Sequence, residues 1–321
     1  DKTLRFIFLT GWAFFGAGLL ITNFLSLRRF SWALVIIATI MAIDALLRHP
    51  GVRQIAFVTA FGSNYIALAR AGGLGLLSIT AFLLPTERRH CVKVFLWIMA
   101  ALQLWATFSA GARGPVIALV LSFLLFFILS LRGLPYLKID RFALWLGVVM
   151  LFAVVVLVVA GQELFPALVY RMQILATEGG ASALTRLDLY HAAIELWARS
   201  PIWGVGTGQF AVAVAGEDLR LYPHNILLEL GAENGLIGVL VFGTMIGLLF
   251  IERVRALFHA KGLDKTVVRY LLVASFFALL NAMVSGDIND NRVLFTTLGL
   301  LAVAPRLQKE AIPKGNKGLP Q

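Results

Sequence analysis

Four basic side chains stand where the sequence predicts helices to open. Arg113 lies in Ser109-Ala110-Gly111-Ala112-Arg113-Gly114-Pro115, and proline suits a first helical turn. Arg186 sits in Thr185-Arg186-Leu187-Asp188, a capping-box pattern. His224 and Asn225 follow Pro223 and precede a long apolar run, and Arg292 follows Asp290 and Asn291, which read as caps. A helix N-terminus is partially positive and favours Asp or Glu, so cations at four such ends work against local stability. With the free backbone N–H groups there, they describe a site for an anion. Arginine suits phosphate because its planar fork donates two parallel hydrogen bonds and stays charged. A helix N-terminus also disfavours imidazolium, so His224 is expected to be neutral near pH 7 and able to act as a general base.

Each position also has a plainer reading. Arg113 can snorkel to headgroups, Arg186 can be a solvated helix-face charge, Arg292 can pair with Asp287 or Asp290, and His224 and Asn225 can cap. Arg70 lies one to two turns inside a predicted span, a costly depth that marks a functional position unless it snorkels outward. Glu229 and Glu233, four residues apart, share a helix face below His224, placed to orient the histidine or to bind an arginine. Asp287-Ile288-Asn289-Asp290 has oxygen ligands for a divalent ion but fits a turn better. Gly204-Val205-Gly206-Thr207-Gly208 lacks the strand–helix setting and the Lys-Ser/Thr of a nucleotide loop, so it reads as a tight connector. The histidines show no ligand spacing and there is no HExxH. No metal and no cofactor are expected.

The elements that must position these residues follow from composition. The chain has 321 residues, 60% hydrophobic and 14% charged, against about 45–50% and about 25% in soluble domains. That excludes a soluble enzyme, a disordered chain and, with Cys91 alone, a disulfide scaffold. The net charge of +11 then reflects basic loops at one membrane face rather than nucleic-acid binding. Nine segments approach the ~20 apolar residues that a span needs: about 5–25, 31–47, 63–84, 92–110, 115–131, 142–160, 225–250, 269–286 and 291–305. The expected order is six transmembrane helices in 1–160, an outer loop over 161–224, three C-terminal transmembrane helices in 225–305 and a disordered cytoplasmic tail, 306–321. Upstream helices are a further expectation, since the chain starts at Asp1. With the tail inside, the inner segments hold 17 basic and five acidic residues and the remainder 11 and 12. This asymmetry puts 161–224 outside. Within that loop, Leu187, Tyr190, Ile194 and Trp197 recur at helical spacing, ahead of a stop at Pro201.

The stretch Arg186 to Phe210 resembles the large outer loop of the O-antigen ligase and polymerase superfamily. Tyr222-Pro223-His224-Asn225-Ile226-Leu227-Leu228-Glu229 and Glu233-Asn234-Gly235-Leu236-Ile237-Gly238 are similar to its signature of His-Asn, Leu-Glu, then Glu-x-Gly-x-x-Gly. Ser109 to Pro115 resembles its Ser-x-Arg-Gly segment, with two residues more before the arginine. The resemblance covers roughly residues 50–300. It implies an all-α polytopic membrane protein, a GT-C-like bundle with a helical periplasmic loop, in the bacterial inner membrane. It implies a glycosyltransferase with its site facing the periplasm, taking a glycan from undecaprenyl diphosphate to lipid A–core, metal-independent and inverting. Polymerisation onto a second lipid-linked glycan is the alternative, and a transporter or flippase of the same lipid-linked glycan the third reading. The implied functional set is Arg113, Arg186 and His224; Arg70, Arg292, Glu229, Glu233 and Asn225 stand beside it as substrate-binding candidates from the residue reading above. The implied partners are the donor, the acceptor and membrane lipids.

Overall fold

The computed structural model describes residues 2–49, 57–132, 138–139, 147, 159–178 and 181–309. The helices are α1 (Lys2–Leu20), α2 (Phe24–Arg48), α3 (Tyr65–Thr86), α4 (His90–Ser109), α5 (Arg113–Ile128), α6 (Pro166–Glu178), α7 (Ala181–Arg199), α8 (Phe210–Ala215), α9 (Ile226–His259), α10 (Gly262–Ala282) and α11 (Arg292–Lys309). Five of these, α1 to α4 and α9, are long and apolar enough to cross a membrane, and α5 is a shorter apolar helix. The chain is an all-α multi-pass membrane protein. Nearly all of the predicted span 142–160, and the tail beyond Lys309, lie outside the described residues.

Asparagines start three of the long helices. Asn23 accepts from the Ser26 amide at 2.8 Å while Ser26 Oγ accepts back from the Asn23 amide, a reciprocal cap. Asn64 caps α3 through Ile66 N, and Asn225 caps α9 through Leu227 N and Leu228 N. The stretch 63–84 is one helix, not two. It lies at the centre of the bundle, with 78% of its apolar window buried against 11–39% for the other four long helices. Gly72, Gly73 and Gly75 allow this, because a Cβ on each would collide with Thr107, Phe277 and Gln103 of neighbouring helices. Buried polar groups join the helices: Gln103 donates to the Val35 carbonyl and to Thr39, and Tyr270 bonds Ser78. Arg28 pairs with Glu87, which holds the start of α2 beside the α3–α4 turn at one end of the bundle. Asn64, Arg113, Asn225 and Arg292 begin helices at the other end.

The helix α9 is broken at Gly235 (φ 63°, ψ −160°), a backbone region essentially reserved for glycine. The break frees backbone groups that the loop after α7 takes up. Val205 N donates to the Ala232 carbonyl at 2.8 Å and Gly206 N to the Glu233 carbonyl at 2.9 Å, while Leu236 N donates to the Pro201 carbonyl and Ile237 N to that of Ile202. Asn234 adds a side-chain bond to Thr207 Oγ1 at 2.8 Å. The glycine-rich loop is therefore a connector, spliced into a helix. Gly204 and Gly235 permit the close approach, since a Cβ on either would run into the backbone of the other segment.

Three sequence expectations change. The helix α7 begins at Ala181, not at Thr185, so Arg186 lies in its second turn. The buried stripe of α7 is Leu189, Ala193 and Leu196, packed with Phe210 and Ala232. Leu187 and Ile194 are about half exposed, at 48% and 50%. The stripe is displaced because the helix packs on α9, where Trp197 fills the space above Gly231. The last helix runs on to Lys309 rather than ending before 306, because Ala304 and Leu307 are fully buried in the bundle.

Gly235→Ala is expected to destabilise the protein by about 1–3 kcal/mol from backbone strain alone. Gly243→Ala, farther along α9 with nothing within 4 Å of its Cβ, should be neutral or stabilise by up to about 1 kcal/mol. Thermal unfolding of the two purified variants in one detergent checks the contrast.

Candidate functional site

Arginines converge at the Asn225 end of the bundle. A small cleft of about 40 Å³ is lined by Arg113, Arg171 and Arg186, with Tyr65, Pro115 and Ser285. Arg113 is the first residue of α5, preceded by Ala112 with no side-chain cap. Its guanidinium donates to the Arg171 carbonyl at 2.9 Å, and Arg171 donates back to the Gly111 carbonyl at 3.1 Å. These reciprocal bonds clasp α6 to the turn between α4 and α5. Gly111 has φ +69°, so this turn needs its glycine. Arg186 reaches the cleft from α7 and acts electrostatically on Arg113, Arg70 and His224.

His224 stands just before the Asn225 cap with φ +58°, a left-handed conformation uncommon outside glycine. Its ring lies edge-on to Tyr222, with centroids 4.5 Å apart. Nδ1 is buried with no hydrogen-bond partner among the described residues. Burial chiefly, then the Arg186 charge, holds the imidazole below its ordinary pKa of 6.5, while Asp290 opposes both. The neutral imidazole expected from the sequence is thus favoured, with desolvation as the main cause.

A second cavity, of about 460 Å³, adjoins the cleft and shares Ile66 and Ser285 with it. Its walls are mostly apolar, among them Leu34, Ile37, Leu74, Phe277 and Leu294, while Arg70, Arg220, Tyr222 and Asp290 add polar groups. Arg70 donates to the carbonyls of Asn281 and Ser285 at 2.9 and 2.8 Å, at the C-terminal end of α10. A cation is favoured there, so Arg70 both ties α3 to α10 and lines the cavity. Arg220 pairs with Asp290 at 3.0 Å.

The other candidates sit elsewhere. Glu229 and Glu233 are buried, at 1% and 2% exposure, and their partner is Lys2 of α1, at 2.5 and 2.7 Å, rather than an arginine or His224. Glu229 also accepts from the Ile288 amide. Both line a separate cavity with Phe6, Trp203 and Phe295. Asn225 caps α9. Arg292 begins α11 but is exposed and lines neither the cleft nor the adjoining cavity. The Asp287–Asp290 segment is a turn, with Asp290 N donating to Asp287 Oδ1 at 2.6 Å. Among the described residues no three His, Cys, Asp or Glu side chains gather as metal ligands.

Arg171, Lys2 and Arg220 are missing from the sequence reading. Arg171 lies in a segment taken as loop, without a motif around it. Its signal, a single arginine in the apolar run Pro166-Ala167-Leu168-Val169-Tyr170-Arg171-Met172, shows only once α6 is recognised as a packed helix.

The imidazole of His224 is expected to titrate below 6.5. Asp290→Asn, which removes an anion, should lower the midpoint further, and Arg186→Gln, which removes a cation, should raise it. NMR of histidine-labelled protein in detergent, with His224→Gln to assign the resonance, checks both signs.

Residues 94–243 match the family model described as O-antigen ligase. The matched stretch holds Arg113, Arg171, Arg186, His224 and the Gly235 break. No curated protein matches the chain.

Proposed function

We propose, on the match of residues 94–243 to the family model described as O-antigen ligase, that this membrane protein is a glycosyltransferase of the ligase type. It moves a glycan from undecaprenyl diphosphate to lipid A–core at the periplasmic face of the bacterial inner membrane. The observation that carries the reading is the arginine cleft, next to an apolar cavity that shares Ile66 and Ser285 with it, with Arg186 of the cleft also acting on His224. An amphiphile with an anionic head and a hydrocarbon tail matches that pair. The cleft suits a phosphoryl group and not a sugar ring, so the glycan lies outside it, toward His224.

In the reaction, the acceptor hydroxyl oxygen attacks the anomeric carbon of the donor sugar. The new C–O bond forms as the bond to the phosphate oxygen breaks, and the lipid diphosphate leaves with the electron pair. Arg113 and Arg186 stabilise the growing charge on the leaving group, a task for which fixed charges in a partly dehydrated site are effective. Neutral His224 takes the acceptor proton. In-line attack inverts the anomeric centre. Holding two lipid-anchored substrates at one membrane face supplies much of the remaining rate through orientation.

The test is glycan transfer by purified protein with EDTA present, offering lipid A–core in one reaction and donor alone in another. Transfer to lipid A–core is expected, with His224→Ala slower by roughly 10²–10⁴-fold and Arg113→Ala or Arg186→Ala by roughly 10²–10³-fold. Chain growth from donor alone would make the protein a polymerase with the same chemistry. Full turnover in the arginine variants would overturn the assignment.

A further inference from the structure

The guanidinium of Arg171 is mounted differently from the other two in the cleft. Its Cζ lies 4.6 and 5.1 Å from the centroids of the Phe57 and Tyr65 rings, and those rings stack on each other at 4.2 Å and 15°. One donor is used on the Gly111 carbonyl, of the five N–H groups that an arginine carries. Its backbone carbonyl meanwhile holds Arg113. Among the described residues neither Arg171 nor Arg186 has an acidic partner within ion-pair distance. Both charges bear on Arg113, with which they line one cleft. Such a cluster is relieved by an anion with more than one charge, and the two rings hold the third guanidinium beside them without neutralising it.

We infer that Arg171 is a third phosphate-binding arginine, which makes the cleft a diphosphate site and requires a planar guanidinium at this position. The inference rests on the donor class proposed above and adds a ligand-binding residue to it. Arg171 touches the phosphoryl oxygens of donor and leaving group, and takes no part in proton transfer. Lysine at 171 keeps the charge but loses the planar fork.

The probe is farnesyl diphosphate, with farnesyl monophosphate and inorganic pyrophosphate as comparisons, bound to purified protein in detergent and followed by intrinsic tryptophan fluorescence. Wild type is expected to bind the diphosphate about tenfold or more tightly than the monophosphate, and Arg171→Gln and Arg171→Lys should each lose about tenfold for the diphosphate. Weak binding of pyrophosphate beside tight binding of the farnesyl compound would assign the lipid-linked diphosphate as the ligand. Equal affinities for pyrophosphate and farnesyl diphosphate would make the cleft a site for any diphosphate, with the role of Arg171 intact. Unchanged affinity in Arg171→Gln at an unchanged melting temperature would overturn the proposal, and wild-type affinity in Arg171→Lys would overturn its planar requirement. Should Arg171→Gln unfold, Phe57→Leu with Tyr65→Leu removes the two rings and leaves the charge, and unaltered diphosphate affinity there would overturn the same requirement. Arg171-dependent binding without glycan transfer would sink the enzymatic reading alone. Transfer that is indifferent to Arg171 would sink this inference alone.

Discussion

The break in α9 at Gly235 is the constraint on which the rest of the site depends. An unbroken helix satisfies its own backbone and has nothing to offer a loop. Opening one turn exposes the carbonyls of Ala232 and Glu233 and the amides of Leu236 and Ile237, and the loop after α7 takes all four. That exchange costs glycine geometry at Gly235 and Gly204 and gives those four backbone groups partners. It anchors the C-terminal end of α7, while Leu189, Ala193 and Leu196 fix the helix face against Phe210 and Ala232. Arg186, on the same helix about one turn before Leu189, is thereby carried to the arginine cleft.

The cleft itself is built against electrostatic preference. Arg113 begins a helix, where a cation is disfavoured, and two further arginines face it. Fixed contacts hold this arrangement: the reciprocal carbonyl bonds between Arg113 and the α6 backbone and between Arg171 and Gly111, and the Phe57–Tyr65 stack. These contacts are made by carbonyls and rings, and they orient the guanidinium groups. A binding site for an anionic transition state needs this orientation, because donors already oriented need little reorganisation as charge develops.

On the other side of α9, the carboxylates of Glu229 and Glu233 serve the architecture. Their pairing with Lys2 ties α1 to α9, and the bond from Ile288 to Glu229 ties α9 to the turn between α10 and α11. That turn also receives Arg70 and carries Asp290, which holds Arg220. Removing one member of such a buried set leaves an unpaired charge behind, so these acids bear on the site through the turn that they hold.

The sequence by itself determined the membrane class, the long apolar helices and the Asn225 cap, and it singled out Arg113, Arg186 and His224 as candidates, because hydropathy, capping and charge at helix ends are local properties that act within a few residues. It also determined that the glycine run 204–208 is a connector. Tertiary structure decided what depends on distant partners. Arg171 became part of the cleft because α6 packs on the α4–α5 turn; Glu229 and Glu233 turned to Lys2, at the far end of the chain; and α7 buried the face of Leu189 rather than that of Leu187. Periodicity marks an apolar stripe without saying which neighbour it meets, and a helix boundary moves when packing stabilises extra turns, as at Ala181 and Lys309. The neutral state expected of His224 came from a helix end, whereas its main physical cause is burial, which exists only once the chain has folded.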